Sequence, residues 1–338
     1  MTSQEAGFDW GGQSALVTGA AGFIGSHLVD ALLERGARVR ALDNLSNGRL
    51  ENLSHCRGQF EFLEGDIRDA DTCRRACAGV SLVFHQAALG SVPRSMKDPS
   101  TSIAVNVSGT ANMFAAARDS GARRIVYASS SSVYGDSDRL PKREGEEGRP
   151  LSPYALSKAM NEELAAVFHR CFAMTLVGLR YFNVYGPRQD PDGPYAAVIP
   201  RFFMASLKGE APVIYGDGEQ SRDFTFVADA VEANLLAASS PLPPGARVFN
   251  VAGGKKTSVT ELARRIREEV GRGPEPRYEG ARPGDVLHSL ADLSRSREEL
   301  GFVPRFDLAG GLKRSAPHYA GFARAGQEPR AVGGGSTR

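Results

Sequence analysis

The stretch SALVTGAAGFIG, residues 14–25, decides the fold that we predict for this chain. It begins with a short apolar run typical of a β-strand. Gly19, Gly22 and Gly25 follow, and the amphipathic segment after them predicts a helix. A second apolar run, residues 38–42, predicts another strand. Strand, glycine turn, helix and strand in this order form a βαβ unit, whose turn leaves room for a pyrophosphate at the helix N-terminus.

An acidic residue closes the second predicted strand. Asp43 lies about 20 residues beyond the glycines, where a carboxylate accepts hydrogen bonds from the hydroxyls of an adenosine ribose. The same negative charge would repel a 2′-phosphate, so the sequence favours NAD over NADP as the cofactor. A glycine-rich turn without a ligand is the alternative interpretation in a chain with 38 glycines, but the order of the elements argues against it.

Two further predicted strands lead into small or polar residues. Residues 60–63 precede Asp66 and Ile67, and residues 82–85 precede the Gln-Ala-Ala sequence at 86–88. Because ligands of open α/β sheets bind at the carboxyl ends of the strands, this pattern predicts a dinucleotide crevice. We therefore predict an α/β protein, a Rossmann-type doubly wound parallel sheet with a smaller C-terminal α/β substrate lobe.

A predicted helix over residues 100–119 carries Asn106 in an otherwise apolar stretch. A buried asparagine needs hydrogen-bond partners. The sequence leaves open whether these belong to the cofactor or to the protein.

A second motif, SPYALSK at residues 152–158, carries the predicted chemistry. Ser152 can cap a helix, so Tyr154 and Lys158 fall on one face near the helix start. A tyrosine loses its proton at a pH of about 10, and we expect Lys158 and the positive helix end to lower that pKa. A serine run at 129–132 follows an apolar strand and offers the hydroxyl of a Ser/Tyr/Lys proton relay. Taken alone, Tyr-x-x-x-Lys is also typical of an ordinary amphipathic helix.

Composition narrows the function classes. The chain has 338 residues, 41% of them apolar, and a formal net charge of +2, so neither nucleic acid nor a membrane surface is a predicted partner. No apolar run reaches transmembrane length, and residues 1–10 lack the pattern of a signal peptide. The four cysteines lack metal-ligand spacing, which predicts reduced thiols, no metal site and a cytoplasmic location.

Together these motifs resemble the extended short-chain dehydrogenase/reductase superfamily. Within it, the chain resembles the NAD-dependent epimerase/dehydratase family over residues 14–319, nearly its whole length. The resemblance implies catalysis by Tyr154, Lys158 and Ser130. The residues that it implies for NAD binding are Gly19, Gly22, Phe23, Ile24, Gly25, Asp43, Asn44, Asn47, Gly48, Asp66, Ile67, Gln86, Ala87, Ala88, Asn106, Tyr154, Lys158 and Tyr181. Those that it implies for UDP-sugar binding are Gly90, Ser91, Ser130, Ser131, Ser132, Tyr154, Asn183, Ala197, Val198, Tyr215, Arg222, Arg282, Asp285 and Ser289.

The resemblance also bears on the reaction. Dehydratases of the family carry an acidic pair where this chain has Ser131 and Ser132, so epimerisation is favoured over dehydration. Uronic-acid epimerases and decarboxylases remain an alternative, although those epimerases tend to have threonine at the position of Asn183. A non-catalytic NAD-binding regulator is a second alternative, but such proteins usually lose the Tyr/Lys pair.

Two small residues favour an N-acetylated sugar. Ser289 stands where a bulky tyrosine excludes the acetamido group in related 4-epimerases, and Gly90 stands where the galactose-pathway enzymes have lysine. The chain thus resembles the bacterial UDP-N-acetylglucosamine 4-epimerases most, with UDP-glucose and UDP-galactose as a further substrate pair. Ser289 as an inert strand residue is the alternative interpretation.

The domains interleave along the predicted chain. We predict an NAD-binding domain over residues 1–180 with returns near 224–251, a sugar-nucleotide lobe over 181–223 and 252–325, and a flexible tail over 326–338. The resemblance also implies a homodimer through the helices near 101–119 and 155–171.

Overall fold

The βαβ unit predicted from residues 14–43 is the start of a larger parallel sheet. The structure, a computed structural model, describes residues 7–192, 196–280 and 287–325. The described strands are β1 (Ser14–Thr18), β2 (Arg38–Asp43), β3 (Glu61–Glu64), β4 (Leu82–His85), β5 (Arg124–Ser130), β6 (Leu176–Tyr181), β7 (Val184–Tyr185), β8 (Val213–Tyr215), β9 (Ser221–Asp223), β10 (Thr225–Phe226), β11 (Ala246–Val251), β12 (Lys256–Ser258) and β13 (Arg277–Glu279).

Helices connect and cover these strands. The described α-helices are α1 (Phe23–Glu34), α2 (Ala70–Cys77), α3 (Val92–Lys97), α4 (Pro99–Ile103), α5 (Gly109–Asp119), α6 (Pro153–Phe172), α7 (Val198–Lys208), α8 (Val227–Ser239), α9 (Val259–Val270), α10 (Ser294–Leu300) and α11 (Leu308–Ala325). Short 3₁₀ turns cover Leu50–Cys56 and Ser131–Tyr134. No helix in the described ranges combines the length and apolar character that crossing a membrane requires.

The main sheet confirms the predicted fold class. Among the described strands, seven pair in parallel in the order β3-β2-β1-β4-β5-β6-β11. The order reverses between β1 and β4, so the loops that leave these two strands diverge and open a crevice at their carboxyl ends. Asp43 ends β2, Ser130 ends β5 and Tyr181 ends β6. The topology therefore brings residues far apart in the chain to one edge of the sheet.

Apolar layers cover both faces of this sheet. Ala15 and Val17 of β1 belong to one buried cluster, which α1 and α8 help to form, whereas Leu16 belongs to another, with α2 and α5. Successive side chains of a strand point to opposite faces. Because helices cover both faces of the sheet, the sequence of β1 is continuously apolar and does not alternate between apolar and polar residues.

The glycines of the first turn are required by close backbone contacts. Gly19 has a φ of +65°, and a Cβ added to it would lie 2.8 Å from the Ala87 nitrogen. A Cβ on Gly25 would lie 2.1 Å from the Gly19 carbonyl oxygen. A larger side chain at Gly19 would clash with the backbone that follows β4, and one at Gly25 would push α1 away from the glycine turn.

A third apolar cluster lies beyond the main sheet. It includes Tyr185, Phe203, Leu262 and Tyr319, contributed by β7, α7, α9 and α11. The described short strands pair here as β10-β7, β12-β9 and β13-β8. The division into two lobes stays a prediction, for which this cluster would be the core of the smaller lobe. The predicted tail, residues 326–338, lies outside the described residues.

The single helix predicted over residues 100–119 is interrupted. A π-helical turn, Ala104–Ser108, separates α4 from α5. Asn106 lies in this turn and is buried, and its side chain exchanges hydrogen bonds with the backbone of Leu89 and donates to the Ser157 hydroxyl. The wider π-helical turn accommodates the Asn106 side chain, whose hydrogen-bond partners lie on two other segments. Local periodicity in the sequence does not reveal such long-range contacts.

Candidate active site

A cavity of about 760 Å³ opens at the carboxyl ends of the main-sheet strands. This is within the usual range for small-molecule sites. Its walls include the glycine turn, the loops after β2, β3 and β4, the serine run after β5 and the start of α6. The cavity therefore brings the two sequence motifs, separated by more than a hundred residues, into one site.

Most of the predicted site residues line this cavity. On the predicted cofactor side these are Gly19, Gly22, Phe23, Ile24, Gly25, Asp43, Asn44, Asn47, Gly48, Asp66, Ile67, Gln86, Ala87, Ala88 and Tyr181. On the predicted substrate side they are Gly90, Ser130, Ser131, Ser132, Tyr154, Lys158, Asn183, Arg222 and Ser289.

Other predicted residues do not line the cavity. Asn106 hydrogen-bonds the backbone of Leu89, which lines the cavity, so Asn106 supports the cavity wall without lining it. Ser91 caps α3 by accepting a hydrogen bond from the Arg94 nitrogen. Ala197 and Val198 form the start of α7, and Tyr215 ends β8 with the Arg201 guanidinium 5.9 Å from its ring centre. Arg282 and Asp285 lie outside the described residues. Roles in binding for all of these stay predictions.

The cofactor side has the features that a dinucleotide needs. Gly22 is the N-cap residue of α1, and no side chain caps the N–H groups of the first helical turn. Because Gly22 lines the cavity, these N–H groups are available to bind a pyrophosphate there. The Asp43 carboxylate accepts hydrogen bonds from the nitrogens of Ala21, at 2.9 Å, and Leu45, at 2.8 Å. A Cβ on Gly48 would lie 2.8 Å from this carboxylate. These residues fit NAD, with Asp43 held in place to meet a ribose.

Backbone and side-chain contacts fix the side of the cavity that is predicted to be catalytic. The Ser152 hydroxyl caps α6 by accepting from the Ala155 nitrogen at 3.1 Å. The nitrogen of Tyr154 donates to the Ser95 hydroxyl at 3.1 Å. The Lys158 ammonium donates to the Ala128 carbonyl at 2.7 Å and lies 5.9 Å from the centre of the Tyr154 ring. Tyr154, Lys158 and the end of β5 thus meet at one wall of the cavity.

Burial governs the titration of this pair. It raises the pKa of Tyr154, and a hydrogen bond with the Ser130 hydroxyl opposes the rise. Burial also lowers the pKa of Lys158 to about 8, against the attraction of Glu162. The net pKa of Tyr154 therefore lies above its ordinary value, because removal from water destabilises a phenolate. That Lys158 and the helix end favour the phenolate stays a prediction.

The two sequence motifs do not predict a buried ion-pair network that lies behind Lys158. Arg180 of β6 donates to both carboxylate oxygens of Glu162 on α6, at 2.9 and 2.6 Å, and also to Glu147. Glu162 in turn accepts from the Ser129 hydroxyl at 2.5 Å. Two signals were present: Arg180 is a charge within an apolar strand, and Glu162 falls four residues after Lys158 on the same helix face. The network fixes the helix that carries Tyr154 and Lys158 against β5 and β6.

Three possible metal ligands also converge elsewhere in the described chain. One ligand atom each of Asp30, His55 and Cys56 lies within 4.8 Å of the others. Asp30 already forms an ion pair with Arg188 at 2.7 Å, and burial raises the pKa of Cys56. A cation would have to displace the arginine and deprotonate the thiol, so we assign no metal to this cluster.

Known proteins resemble the chain in both sequence and structure. The model of the NAD dependent epimerase/dehydratase family matches residues 15–252. A UDP-glucose 4-epimerase of Mycolicibacterium smegmatis is 42% identical over 308 residues, which are 90% of this chain and 97% of that protein.

Two solved structures with different bound sugars are also similar. The UDP-N-acetylglucosamine 4-epimerase of Methanobrevibacter ruminantium M1, in complex with UDP-N-acetylmuramic acid, is 40% identical with a TM-score of 0.88, covering 92% of this chain and 99% of that one. The UDP-glucuronic acid 4-epimerase of Bacillus cereus, in complex with UDP-glucuronic acid and NAD, is 30% identical with a TM-score of 0.85, covering 91% and 99%.

Proposed function

The chain belongs to the NAD-dependent epimerase/dehydratase family, and from this premise we propose that it inverts C4 of a UDP-hexosamine, interconverting UDP-N-acetylglucosamine and UDP-N-acetylgalactosamine. Its cofactor is NAD, and its activity is that of a UDP-sugar 4-epimerase. The observation that supports the choice of sugar is the small side chain of Ser289, which lines the same cavity as Tyr154 and Ser130.

NAD at the glycine turn supplies a reversible hydride acceptor for the C4–H bond of the sugar. Tyr154 is the group placed to take the proton of the 4-hydroxyl at its phenolic oxygen and to return it later. Ser130 lowers the pKa of the same tyrosine and is positioned to share the reacting oxygen. Lys158 provides the positive charge that favours the deprotonated tyrosine during the transfer. The buried network of Glu162 and Arg180 keeps Lys158 in place.

The serine run argues against elimination of water. Ser131 and Ser132 both line the cavity, and a serine hydroxyl is neither an acid nor a base near neutral pH. Dehydration would need a second acid and base at this position. The wall offers hydrogen bonds to a sugar instead, which supports epimerisation.

Space near two small residues supports an acetamido substituent. Ser289 is held by a hydrogen bond from its nitrogen to the Ser221 carbonyl at 3.0 Å, which fixes its position on the wall. A Cβ added to Gly90 would meet no atom within 4 Å. Neither residue fills the volume that a bulkier side chain would take.

Replacement of Ser289 by tyrosine tests the assignment of the sugar. We expect kcat/KM for UDP-N-acetylglucosamine to fall at least about tenfold more than kcat/KM for UDP-glucose, because the phenol would occupy the acetamido space. Initial rates on both substrates measure the difference, with Ser289→Ala as the control that keeps the site open. Equal losses on the two sugars would show that this residue does not select the substituent.

Turnover of purified protein tests the function as a whole. Incubation with UDP-N-acetylglucosamine should produce UDP-N-acetylgalactosamine, resolved by chromatography of the nucleotide sugars. UDP-glucose and UDP-glucuronate belong in the same panel, since the B. cereus relative acts on the uronic acid. Higher kcat/KM on UDP-glucuronate would favour that alternative, and no turnover of any sugar would favour a non-catalytic NAD-binding protein.

The outer face of α6 supports the homodimer that we also propose. Leu156, Met160 and Val167 expose between 39% and 46% of their surface and share the helix side opposite the buried positions. A second copy of this chain could cover the face by a two-fold axis that pairs α6 with itself.

Two glutamates introduced on the outer face of α6 should separate the subunits of the proposed dimer. We expect the double variant Leu156→Glu with Val167→Glu to sediment as a monomer while the unmodified protein sediments as a dimer, because each charge would be buried unpaired in the interface. Sedimentation equilibrium gives the mass directly. Val303→Glu, at an exposed apolar residue outside α6, is the matched control. A dimer that persists in the double variant would place the interface elsewhere.

A further inference from the structure

The short strand β9 contacts or contains three residues that line the cavity. Arg222, its central residue, lines the cavity itself. The Ser221 carbonyl accepts a hydrogen bond from the nitrogen of Ser289 at 3.0 Å, and the Asp223 carbonyl accepts one from the side chain of Asn183 at 2.9 Å. Both of these partners line the cavity as well. The position of β9 therefore determines the positions of Asn183, Arg222 and Ser289.

The carboxylate of Asp223 binds β9 to two other segments. The residue is completely buried. One carboxylate oxygen accepts from the nitrogen of Gly254 at 3.0 Å, and the other accepts from the nitrogen of Ala291 at 3.2 Å. Burial raises the pKa of Asp223 to about 6, and these backbone N–H groups oppose the rise. The group is therefore ionised near neutral pH, where a carboxylate accepts stronger hydrogen bonds than a neutral oxygen does.

The loop after β11 is shaped to enclose this carboxylate. A Cβ added to Gly253 would lie 2.4 Å from the carbonyl oxygen of Phe224 and 3.5 Å from a carboxylate oxygen of Asp223. Gly254 has a φ of +76°, a conformation that residues with a side chain rarely adopt. The two glycines thus let the loop backbone approach β9 closely enough for its N–H groups to reach the buried oxygens.

Asn183 has a backbone conformation that requires support from its surroundings. Its φ is +38°, which costs free energy in a residue other than glycine and persists only where neighbouring groups hold it. The side chain donates to the Asp223 carbonyl, and the Asn183 carbonyl accepts from the nitrogen of Thr225 at 3.3 Å. These two contacts, on either side of Phe224, tie Asn183 to the segment that Asp223 anchors.

We propose that Asp223 is a positioning residue for the sugar nucleotide, whose buried carboxylate fixes β9 so that Asn183, Arg222 and Ser289 are held in place before the substrate binds. The proposal rests on the proposed function, because these three residues are predicted to bind a UDP-sugar. Asp223 is not among the described residues that line the cavity, so it acts through its neighbours. A wall that is already ordered reduces the entropy that binding would otherwise lose.

Asp223→Asn tests the proposal. Asparagine has a similar size, but its NH₂ group cannot accept a hydrogen bond from a backbone N–H. We expect KM for UDP-N-acetylglucosamine to rise about 10-fold, within the range for a buried N–H group that loses its acceptor. We expect kcat to change less than about threefold, because the displaced wall weakens binding of the ground state and the transition state alike. Asp223→Ala, which offers no acceptor, should raise KM further.

Asp229→Asn is the matched control. Asp229 of α8 is also buried, and its carboxylate accepts from the nitrogens of Arg305, at 2.8 Å, and Phe306, at 3.3 Å. Its variant should lose stability as Asp223→Asn does but keep the KM of the unmodified enzyme. The NAD content of both purified variants should be unchanged, since the glycine turn and Asp43 lie on other elements. An equal rise of KM in both variants, or loss of NAD from Asp223→Asn, would overturn the proposal.

Hydrogen exchange of the unmodified protein decides the question if Asp223→Asn does not fold. The amide protons of Gly254 and Ala291 should exchange slowly before any sugar nucleotide is added. Fast exchange that slows only with UDP-N-acetylglucosamine would mean that the ligand orders the wall, which would contradict the proposal. Turnover with an unchanged KM in Asp223→Asn would refute this inference alone, whereas no turnover of any UDP-sugar by the unmodified protein would refute the proposed function.

Discussion

Replacement of Tyr154 by phenylalanine is expected to lower kcat by about 10²- to 10⁴-fold, the contribution typical of a positioned general acid or base. The phenolic oxygen is the group that takes and returns the proton of the 4-hydroxyl in the proposed reaction. In the variant, the backbone nitrogen of residue 154 would still donate to the Ser95 hydroxyl, and the aromatic ring would stay beside Lys158. The loss should therefore fall on the chemical step rather than on the fold.

Substrate affinity separates this expectation from a general disruption of the site. The dissociation constant for UDP-N-acetylglucosamine, measured by calorimetry on Tyr154→Phe, should be nearly that of the unmodified enzyme. Tyr127→Phe is the matched control, because Tyr127 is a buried tyrosine of β5 that does not line the cavity. Full activity without the Tyr154 hydroxyl would remove it from the mechanism.

Replacement of Arg180 by methionine is expected to lower the free energy of unfolding by about 3–5 kcal/mol, the cost typical of removing one partner of a buried ion pair. Arg180 is buried and binds two carboxylates, those of Glu162 and Glu147. Methionine would leave both carboxylates without their cation, and only 13% of the Glu162 side chain is exposed to water. Urea unfolding followed by circular dichroism measures the change.

Two further variants test whether burial of the ion pairs causes the loss of stability in Arg180→Met. Arg264→Met removes an exposed arginine of α9 that also binds two glutamates, and its effect should be much smaller because exposed pairs contribute little. A triple variant with methionine at 147, 162 and 180 should recover much of the lost stability, since no unpaired charge would remain. Equal destabilisation by the Arg180 and Arg264 variants would contradict the role of burial.

Local patterns sufficed to predict the first half of the sheet. The glycine turn, the strands beside it and Asp43 follow from neighbouring residues, because φ, strand period and helix capping are all set within a few positions. The short spacing in residues 152–158 likewise identified the start of α6 and the cavity wall that it forms. These predictions needed no knowledge of distant contacts.

Contacts between distant segments could not be predicted in the same way. Asn106 meets Leu89 and Ser157, and Lys142 meets Leu290, through pairings that only the folded chain defines. The net pKa of Tyr154 also depends on burial, which the spacing to Lys158 does not reveal. Sequence motifs located the chemistry, but the fold determined its electrostatic surroundings.

The last strand of the main sheet has a consequence for synthesis of the protein. Every residue of β6 is buried, and β11, which pairs with it, comes 65 residues later in the chain, from Tyr181 to Ala246. A nascent polypeptide must therefore wait on the ribosome with an apolar edge uncovered until β11 emerges. Such edges pair with other chains, so expression of a fragment that stops before β11 should yield aggregates.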